Sequence, residues 1–172
     1  MIRPDRRVAS PDAAGNPAGE AAARPMYELI ELLFFAYRDF VGDADRILER
    51  YRFGRAHHRV LHFVTRRPGM TIAELLDILK ITKQSLNRVL KQLLEQQFVE
   101  ARAGVEDRRQ RLLYPAPRGC RLALELAQVQ SARFERALQG LPENARKKAI
   151  AFLLAVIDPE DRSQIEHSIW RE

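Results

Sequence analysis

A chain of 172 residues is long enough for one domain of ordinary size with additional helices, and its 46% of hydrophobic residues can form a real core. The 29 Lys and Arg against 23 Asp and Glu leave a net charge of +6, which favours a polyanionic partner. The single cysteine excludes an intrachain disulfide and a cysteine-rich zinc site, and without a membrane-length apolar run or a secretory signal we expect a cytoplasmic protein with no membrane contact.

Residues 1 to 24 are rich in proline, glycine and alanine and hold almost no large apolar side chains. Such a segment buries too little surface to offset the entropy of ordering it, so we predict a flexible tail. Arg3, Arg6 and Arg7 would either contact DNA phosphate or simply keep the tail soluble.

Residues 26 to 41 are predicted to form a helix that is apolar around most of its circumference. A helix packed on a single core carries one apolar stripe, so at least two faces of this helix should be buried. A dimer interface and a central position in a monomeric bundle both satisfy this, and the dimer is favoured because large apolar patches usually mark interfaces. Residues 43 to 51 are expected to be a turn or a helical extension.

The stretch from Arg50 to Arg67 contains six arginines and no acidic residue, around a helical apolar face at residues 60 to 64. A run of one charge sign is either a solvated face or a grip on the phosphates of a nucleic acid. Arg59 is the candidate phosphate contact in this helix.

Two helices joined by a tight turn are predicted within residues 71 to 99. Thr71 and Thr82 each precede a run of apolar residues at helical spacing, where a hydroxyl can cap exposed backbone N–H groups. Only Lys80 and Ile81 separate the first run from the second cap. A link this short makes the helices cross, as in a helix-turn-helix.

The outer face of the second helix is polar and basic. In the major groove, Asn and Gln can pair with adenine, Arg and Lys with guanine, and Ser with either. The alternative is an ordinary amphipathic surface helix, whose outer face is also polar. The residues predicted to read DNA from this helix and its cap are Thr82, Lys83, Gln84, Ser85, Asn87 and Arg88.

Residues 98 to 102 and 110 to 114 are predicted to be short strands, and the segment between them holds Gly104 and a charged tip. Two strands this close form a hairpin, and a hairpin directly after a recognition helix is a wing. Arg108 and Arg109 would lie at the DNA backbone or in the adjacent minor groove, where narrow A·T tracts attract arginine.

Two further helices are predicted at residues 118 to 138 and 143 to 157, separated by Gly140 and Pro142. The second ends in the sequence IAFLLAVI, which is too apolar for a lone surface helix and should join a dimer interface. Pro159 follows, and the remaining residues are expected to hold one more helix.

The residues from Thr71 to Gly119 resemble the winged helix of the MarR family of bacterial transcription regulators. The likeness is carried by MTIAELLDILKITKQSLNRVLKQLLEQQFVE, by Asp107-Arg108-Arg109 and by RLLYPAPRG. With the flanking helices it covers nearly all of residues 26 to 157. The resemblance implies a mainly α fold with a small β-hairpin wing, assembled as an obligate homodimer on double-stranded DNA.

The resemblance also implies roles for particular residues. Residues 82 to 88 would enter the major groove, and Arg108 or Arg109 would reach the minor groove. Asp107 would brace the wing by pairing with a nearby arginine. The implied division of the chain is a tail at 1 to 24, dimerisation helices at 25 to 50 and 118 to 172, and a winged helix-turn-helix at 51 to 117.

The sequence departs from the family at two turns and one helix cap. Lys80 and Gln97 stand where the family has glycine, and a positive φ strains any other residue, so these turns are predicted to differ locally. The family's Thr-x-x-Gly is Ala116-Pro117-Arg118-Gly119 here. This change loses the hydroxyl cap, although proline suits a first helical position.

The sequence contains no glycine-rich phosphate loop, zinc-protease helix or serine-hydrolase elbow. We therefore predict no catalytic residue, no cofactor and no enzyme activity. His58 and His62 have the spacing of a shared metal site but lack an obvious third ligand, so a solvated or core pair is the favoured interpretation and no metal is predicted. Cys120 would be a thiol sensor or, by default, a packed small side chain.

The sequence thus predicts a dimeric regulator of transcription that binds pseudo-palindromic DNA, and a repressor is favoured over an activator. The alternatives are a nonspecific nucleoid-type binder and a winged helix used for protein contact. An effector pocket between the DNA-binding and dimer parts would be lined partly by aromatic side chains, which otherwise are plain core. Those side chains are Phe34, Tyr37, Phe63 and Tyr114.

Overall fold

A computed structural model describes residues 24 to 104 and 107 to 170. Its helices are α1 (Tyr27–Glu49), α2 (Arg55–Arg66), α3 (Ile72–Leu79), α4 (Lys83–Glu95), α5 (Pro117–Gln139), α6 (Ala145–Val156) and α7 (Pro159–Ile169). Its strands are β1 (Met70–Thr71), β2 (Val99–Ala103) and β3 (Arg111–Pro115). The predicted mainly α class with a small β wing is confirmed. The predicted tail, with Arg3, Arg6 and Arg7, lies outside the described residues, apart from Arg24.

The hydrophobic core lies between α2, α3, α4, the sheet and the adjoining halves of α1 and α5. Phe98 is fully buried at its centre, and the rings of Tyr51 and Phe53 meet it edge-on, with centroids 5.3 and 5.0 Å away. The apolar residues that defined the two helix faces in the sequence supply this core. Leu94, at the same spacing, is the exception and stays exposed.

The three strands pair antiparallel in the order β1-β3-β2. Met70 pairs with Leu113, and Val99 pairs with Pro115. Both hairpin strands begin one residue later than predicted. The reason at β2 is that the N–H of Phe98 still bonds to the carbonyl of Leu93 (2.8 Å), which makes Phe98 part of the C-terminal cap of α4.

The prediction that the turns at Lys80 and Gln97 differ locally is wrong. Lys80 has φ 49° and Gln97 has φ 58°, so both adopt the left-handed conformation that glycine favours. Each ends a helix, and the Lys80 N–H bonds to the carbonyl of Leu76 (2.9 Å). The chain keeps the turns and carries roughly 1–2 kcal/mol of strain at each residue.

Many large apolar side chains in α1 and α6 are uncovered. Phe34 and Phe35 in the first half of α1 are 67% and 53% exposed, and Phe152 and Leu153 of α6 are 54% and 53% exposed. The first half of α1 is therefore not the central helix of a monomeric bundle. Residues 43 to 49 continue α1 as the predicted helical extension. No helix in the described part of the chain could cross a membrane.

Candidate DNA interface

Helix α4 separates its side chains cleanly into a buried and an exposed face. Leu86, Val89, Leu90 and Leu93 are buried in the core. The opposite face carries the predicted reading residues Lys83, Gln84, Asn87 and Arg88, all of which are exposed. Because these positions alternate with buried ones at helical spacing, burying the apolar side fixes the direction of the polar side.

Thr82 and Ser85, the other two predicted reading residues, interact with each other at the start of α4. The Thr82 hydroxyl accepts the N–H of Ser85 (3.2 Å) and donates to its hydroxyl oxygen (3.0 Å). A cap of this kind satisfies a backbone donor that the helix leaves unpaired. The pair therefore holds the N-terminus of α4 in place, while its contact with bases stays a prediction.

Arg59 reaches the turn between α3 and α4. Its guanidinium donates to the carbonyl of Leu79 at 3.2 Å, and the residue as a whole is exposed. A cation at this position suits the negative end of the α3 dipole. Arg59 thus makes a structural contact to the helix-turn-helix, and its contact with phosphate stays a prediction.

Contacts that the sequence analysis missed fix the body and far end of α4. The Gly54 N–H donates to His57 Nδ1 (3.1 Å), and Nε2 of the same ring contacts the Gln92 side chain of α4. Arg118 donates to the carbonyl of Gln96 (3.2 Å), and its guanidinium lies 4.3 Å from the Phe98 ring centroid. Of these contacts, only the one between Gly54 and His57 joins residues close enough in the chain to be considered from sequence.

The wing turn is braced by Asp107, but through another partner than predicted. Its carboxylate accepts the backbone N–H of Arg109 at 2.9 Å, and within the described wing it pairs with no guanidinium, so the predicted arginine pairing is wrong. The physical reason is reach, because a short Asp side chain readily bonds to a backbone amide two residues ahead. Arg108 and Arg109 are left exposed at the tip.

Cations on α4 and the wing outnumber their acidic partners. Lys91 lies 3.8 Å from Glu95, and Arg102 lies 3.1 Å from Glu100. Within the described ranges the remaining basic side chains of this surface form no ion pair. They are Lys83, Arg88, Arg108, Arg109 and Arg111. A surface with unpaired cations attracts a polyanion and releases counterions on binding.

The histidine and cysteine candidates lie away from this surface. Burial lowers the pKa of His58, and the neighbouring His62 adds to the effect. No group of three possible metal ligands occurs within residues 24–104 and 107–170. The default prediction for Cys120 is wrong, since its side chain is exposed rather than packed. The preceding Gly119 takes the inward position against Phe98, so the next residue on the helix faces outward.

The four aromatic residues predicted to line one effector pocket are spread over different places. Phe34 and Tyr37 are exposed on α1, and Phe63 lines a cavity beside α7. Tyr114 lies in β3, with the Arg102 guanidinium 4.3 Å from its ring centroid.

Residues 53–110 match the model of the MarR family. The chain is 41% identical over 152 residues to the HTH-type transcriptional regulator PetP of Rhodobacter capsulatus. This alignment covers 86% of this chain and 92% of PetP. It is also similar in fold to the crystal structure of MarR, with TM-score 0.63, 22% identity and coverage of 87% of this chain and 99% of the other. The crystal structure of Streptococcus pneumoniae FabT in complex with DNA is similar in fold as well, with TM-score 0.66 and 16% identity. That match covers 75% of this chain and 94% of the FabT chain.

The match to the family model falls on the helix-turn-helix and the wing, the part of the chain where the basic surface lies. The relative from Rhodobacter capsulatus extends the likeness to most of both chains. The chain therefore belongs to the MarR family of winged-helix transcription regulators.

Proposed function

We propose that the protein is a homodimer that binds double-stranded DNA at pseudo-palindromic sites and regulates transcription, as a repressor rather than an activator. One observation carries the proposal: α4 buries its apolar side in the core while Lys83, Gln84, Asn87 and Arg88 stand exposed on the other. A recognition helix needs this arrangement to present side chains to base edges. A solved relative of the same fold, FabT, is in complex with DNA.

The uncovered apolar surface supports the homodimer. Its members come from the first half of α1, from the end of α5 and from α6, where no residue is buried. Large exposed apolar patches usually mark interfaces, and a second copy of the chain would offer the same residues. In this proposal, residues 25 to 50 and 118 to 172 hold the dimer together, and residues 51 to 117 bind DNA.

The dimer would set two recognition helices about 34–36 Å apart, one turn of the DNA helix. Base contacts come from Lys83, Gln84, Asn87 and Arg88, and the wing arginines Arg108 and Arg109 contact the minor groove or backbone. Thr82 and Ser85 begin the helix, with Arg59 beside them at the phosphates. No catalytic chemistry is part of the proposed function, in agreement with the transcription-regulator name of the relative PetP.

The test compares variants in gel shifts on a site selected from random DNA and on a scrambled site. Asn87→Ala should lower affinity for the selected site by about 1–3 kcal/mol and leave the scrambled site unchanged. Arg108→Ala should weaken both sites to a similar extent, because wing contacts to the backbone carry little sequence information.

A second test variant is Arg88→Lys, which keeps the charge and loses the bidentate geometry. It should behave like Asn87→Ala and retain the salt dependence of the wild type. Unchanged preference in both α4 variants would show that the reading face is assigned wrongly. Equal wild-type affinity for selected and scrambled DNA would instead favour a nonspecific nucleoid-type binder.

A further inference from the structure

Helix α7 contacts the turn of the helix-turn-helix through polar side chains. The Gln164 side-chain amide donates to one carboxylate oxygen of Asp77 in α3 at 3.1 Å. The Lys80 ammonium donates to the other oxygen of Asp77 at 3.1 Å and lies 3.7 Å from the carboxylate of Asp161 in α7. The last helix is thus joined to the turn that directly precedes the recognition helix.

The opposite end of this connection is fixed to α6. Only Ile157 and Asp158 separate α6 from α7. The Arg162 guanidinium of α7 donates to the carbonyls of Ala155 and Ile157 at 3.1 and 3.0 Å. Carbonyls at the end of a helix lack partners within it, so these bonds satisfy them and hold α6 and α7 at one angle to each other.

Helix α7 therefore connects the proposed dimer surface to the helix-turn-helix. Helix α6 carries the exposed Phe152 and Leu153 of that surface. The winged helix is also attached to α1 and α5, but there the packing is against α2. Attachment at one place leaves a domain free to rotate about a hinge, whereas a second attachment at the turn after α3 restricts that rotation.

The conformation of Lys80 fits a role in this connection. Lys80 has φ 49°, which glycine adopts freely and lysine adopts only with strain. Glycine would keep the turn but would lose the ammonium group between Asp77 and Asp161. The strained lysine thus supplies a contact with α7 that the relaxed residue could not make.

We propose that Lys80, Asp161 and Gln164 are positioning residues that fix the separation of the two recognition helices in the dimer. One added base pair moves a half-site by about 3.4 Å and rotates it by about 35°, which a dimer with fixed helices cannot follow. The contacts of α7 therefore make the protein select DNA sites by the spacing of their half-sites. This inference rests on the proposed function, because spacing matters only to a dimer on DNA.

Two double variants of α7 form a matched pair. Asp161→Asn with Gln164→Ala removes both side chains that reach the turn. Glu160→Gln with Ser163→Ala is the control, because both residues are exposed on α7 and neither bonds to α3 or Lys80 within the described residues. Each pair removes one negative charge, so the general attraction to DNA stays matched.

Gel shifts compare the selected site with a copy that has one extra base pair between its half-sites. The Kd of the wild type should rise at least about tenfold on the longer site, and the control should match it. In Asp161→Asn with Gln164→Ala the rise should be at most about threefold, because the helix-turn-helix can rotate to follow the displaced half-site. A rise equal to that of the wild type would overturn the inference.

Lys80→Gly separates orientation from stability. Exposed ion pairs contribute little to stability, and glycine relieves the positive φ, so this variant should resist urea at least as well as the wild type. It should nevertheless show the same loss of spacing preference as the test variant of α7. A wild-type spacing preference in Lys80→Gly would contradict its role as a positioning residue.

Hydrogen exchange of the full-length protein without DNA separates this inference from the proposed function. The backbone amides of α7 should exchange at least about threefold faster in Asp161→Asn with Gln164→Ala than in the wild type and the control. Unchanged exchange would show that these contacts do not hold α7, and the inference would fail. If the wild type does not distinguish selected from scrambled DNA, the proposed function fails and the role in spacing fails with it, while faster exchange would still establish the attachment of α7 to the turn.

Discussion

Gly119→Ala tests the close contact between α5 and Phe98, the residue at the C-terminal cap of the recognition helix. A β-carbon added at Gly119 would lie 2.0 Å from the carbonyl oxygen of Phe98, far below any distance that real Cβ atoms show. The same oxygen accepts the N–H of Ala116 at 3.0 Å, so it cannot move without disturbing the entry to α5. Glycine is therefore needed for close approach rather than for an unusual φ.

The cost of this substitution can be worked from its parts. Overpacking a tight site costs about 1–3 kcal/mol, and losing the Ala116 hydrogen bond to a buried carbonyl costs about 1–3 kcal/mol. Alanine returns about 1 kcal/mol through its higher helix propensity. The free energy of unfolding of Gly119→Ala should therefore fall by about 1–5 kcal/mol.

Urea unfolding followed by circular dichroism at one fixed protein concentration measures this loss. Gly42→Ala is the matched control, because Gly42 is also helical and nothing lies within 4 Å of its added β-carbon. The control should be neutral or more stable by up to about 1 kcal/mol. Equal stability of Gly119→Ala and wild type would refute the close contact between α5 and Phe98.

Three further changes probe the ends of helices and the effect of pH. Thr82→Ala removes the hydrogen bond from the Ser85 N–H and should lower the free energy of unfolding by about 1 kcal/mol in urea titrations. An unchanged free energy of unfolding would mean that the cap contributes nothing to stability. Gln97→Gly should raise it by about 0.5–1 kcal/mol by relieving a positive φ, and a loss of stability would contradict that strain. Because burial lowers the pKa of His58 from its ordinary 6.5, the unfolded chain binds the proton more readily. The contribution of neutral His58 should be fully present above about pH 6.5, the unfolded value, and be lost as the pH falls below it. The free energy of unfolding should therefore fall less steeply between about pH 6.5 and 5 in His58→Gln than in the wild type, and parallel profiles would exclude this histidine.

Local pattern was enough to predict the elements that form the candidate site. Thr71 and Thr82 cap α3 and α4 as their positions indicated, and Thr71 completes a capping box with Glu74. The exposed face of α4 could be predicted from helical spacing, because burial of the apolar residues turns the polar residues between them toward solvent. The hairpin followed from two short strands around Gly104, whose N–H bonds to the carbonyl of Gln110 at 3.0 Å.

The side-chain contacts that could not be predicted join residues far apart in the chain. His57 meets Gln92 across 35 positions, and Arg118 meets Gln96 across 22. Periodicity within one helix carries no information about such pairs. The geometry of the turn at Lys80 was predicted wrongly for another reason. Packing of α3 against α4 outweighs the local preference of a non-glycine residue against a positive φ.

The most direct test of the account is the DNA site itself. Selection from random DNA, followed by a hydroxyl-radical footprint on the enriched sequence, measures both symmetry and spacing. We expect an inverted repeat whose half-sites lie about 10–10.5 base pairs apart, protected by the wild type and lost in Asn87→Ala. Selection that returns no common sequence, or a site without twofold symmetry, would contradict a dimer that reads DNA through α4.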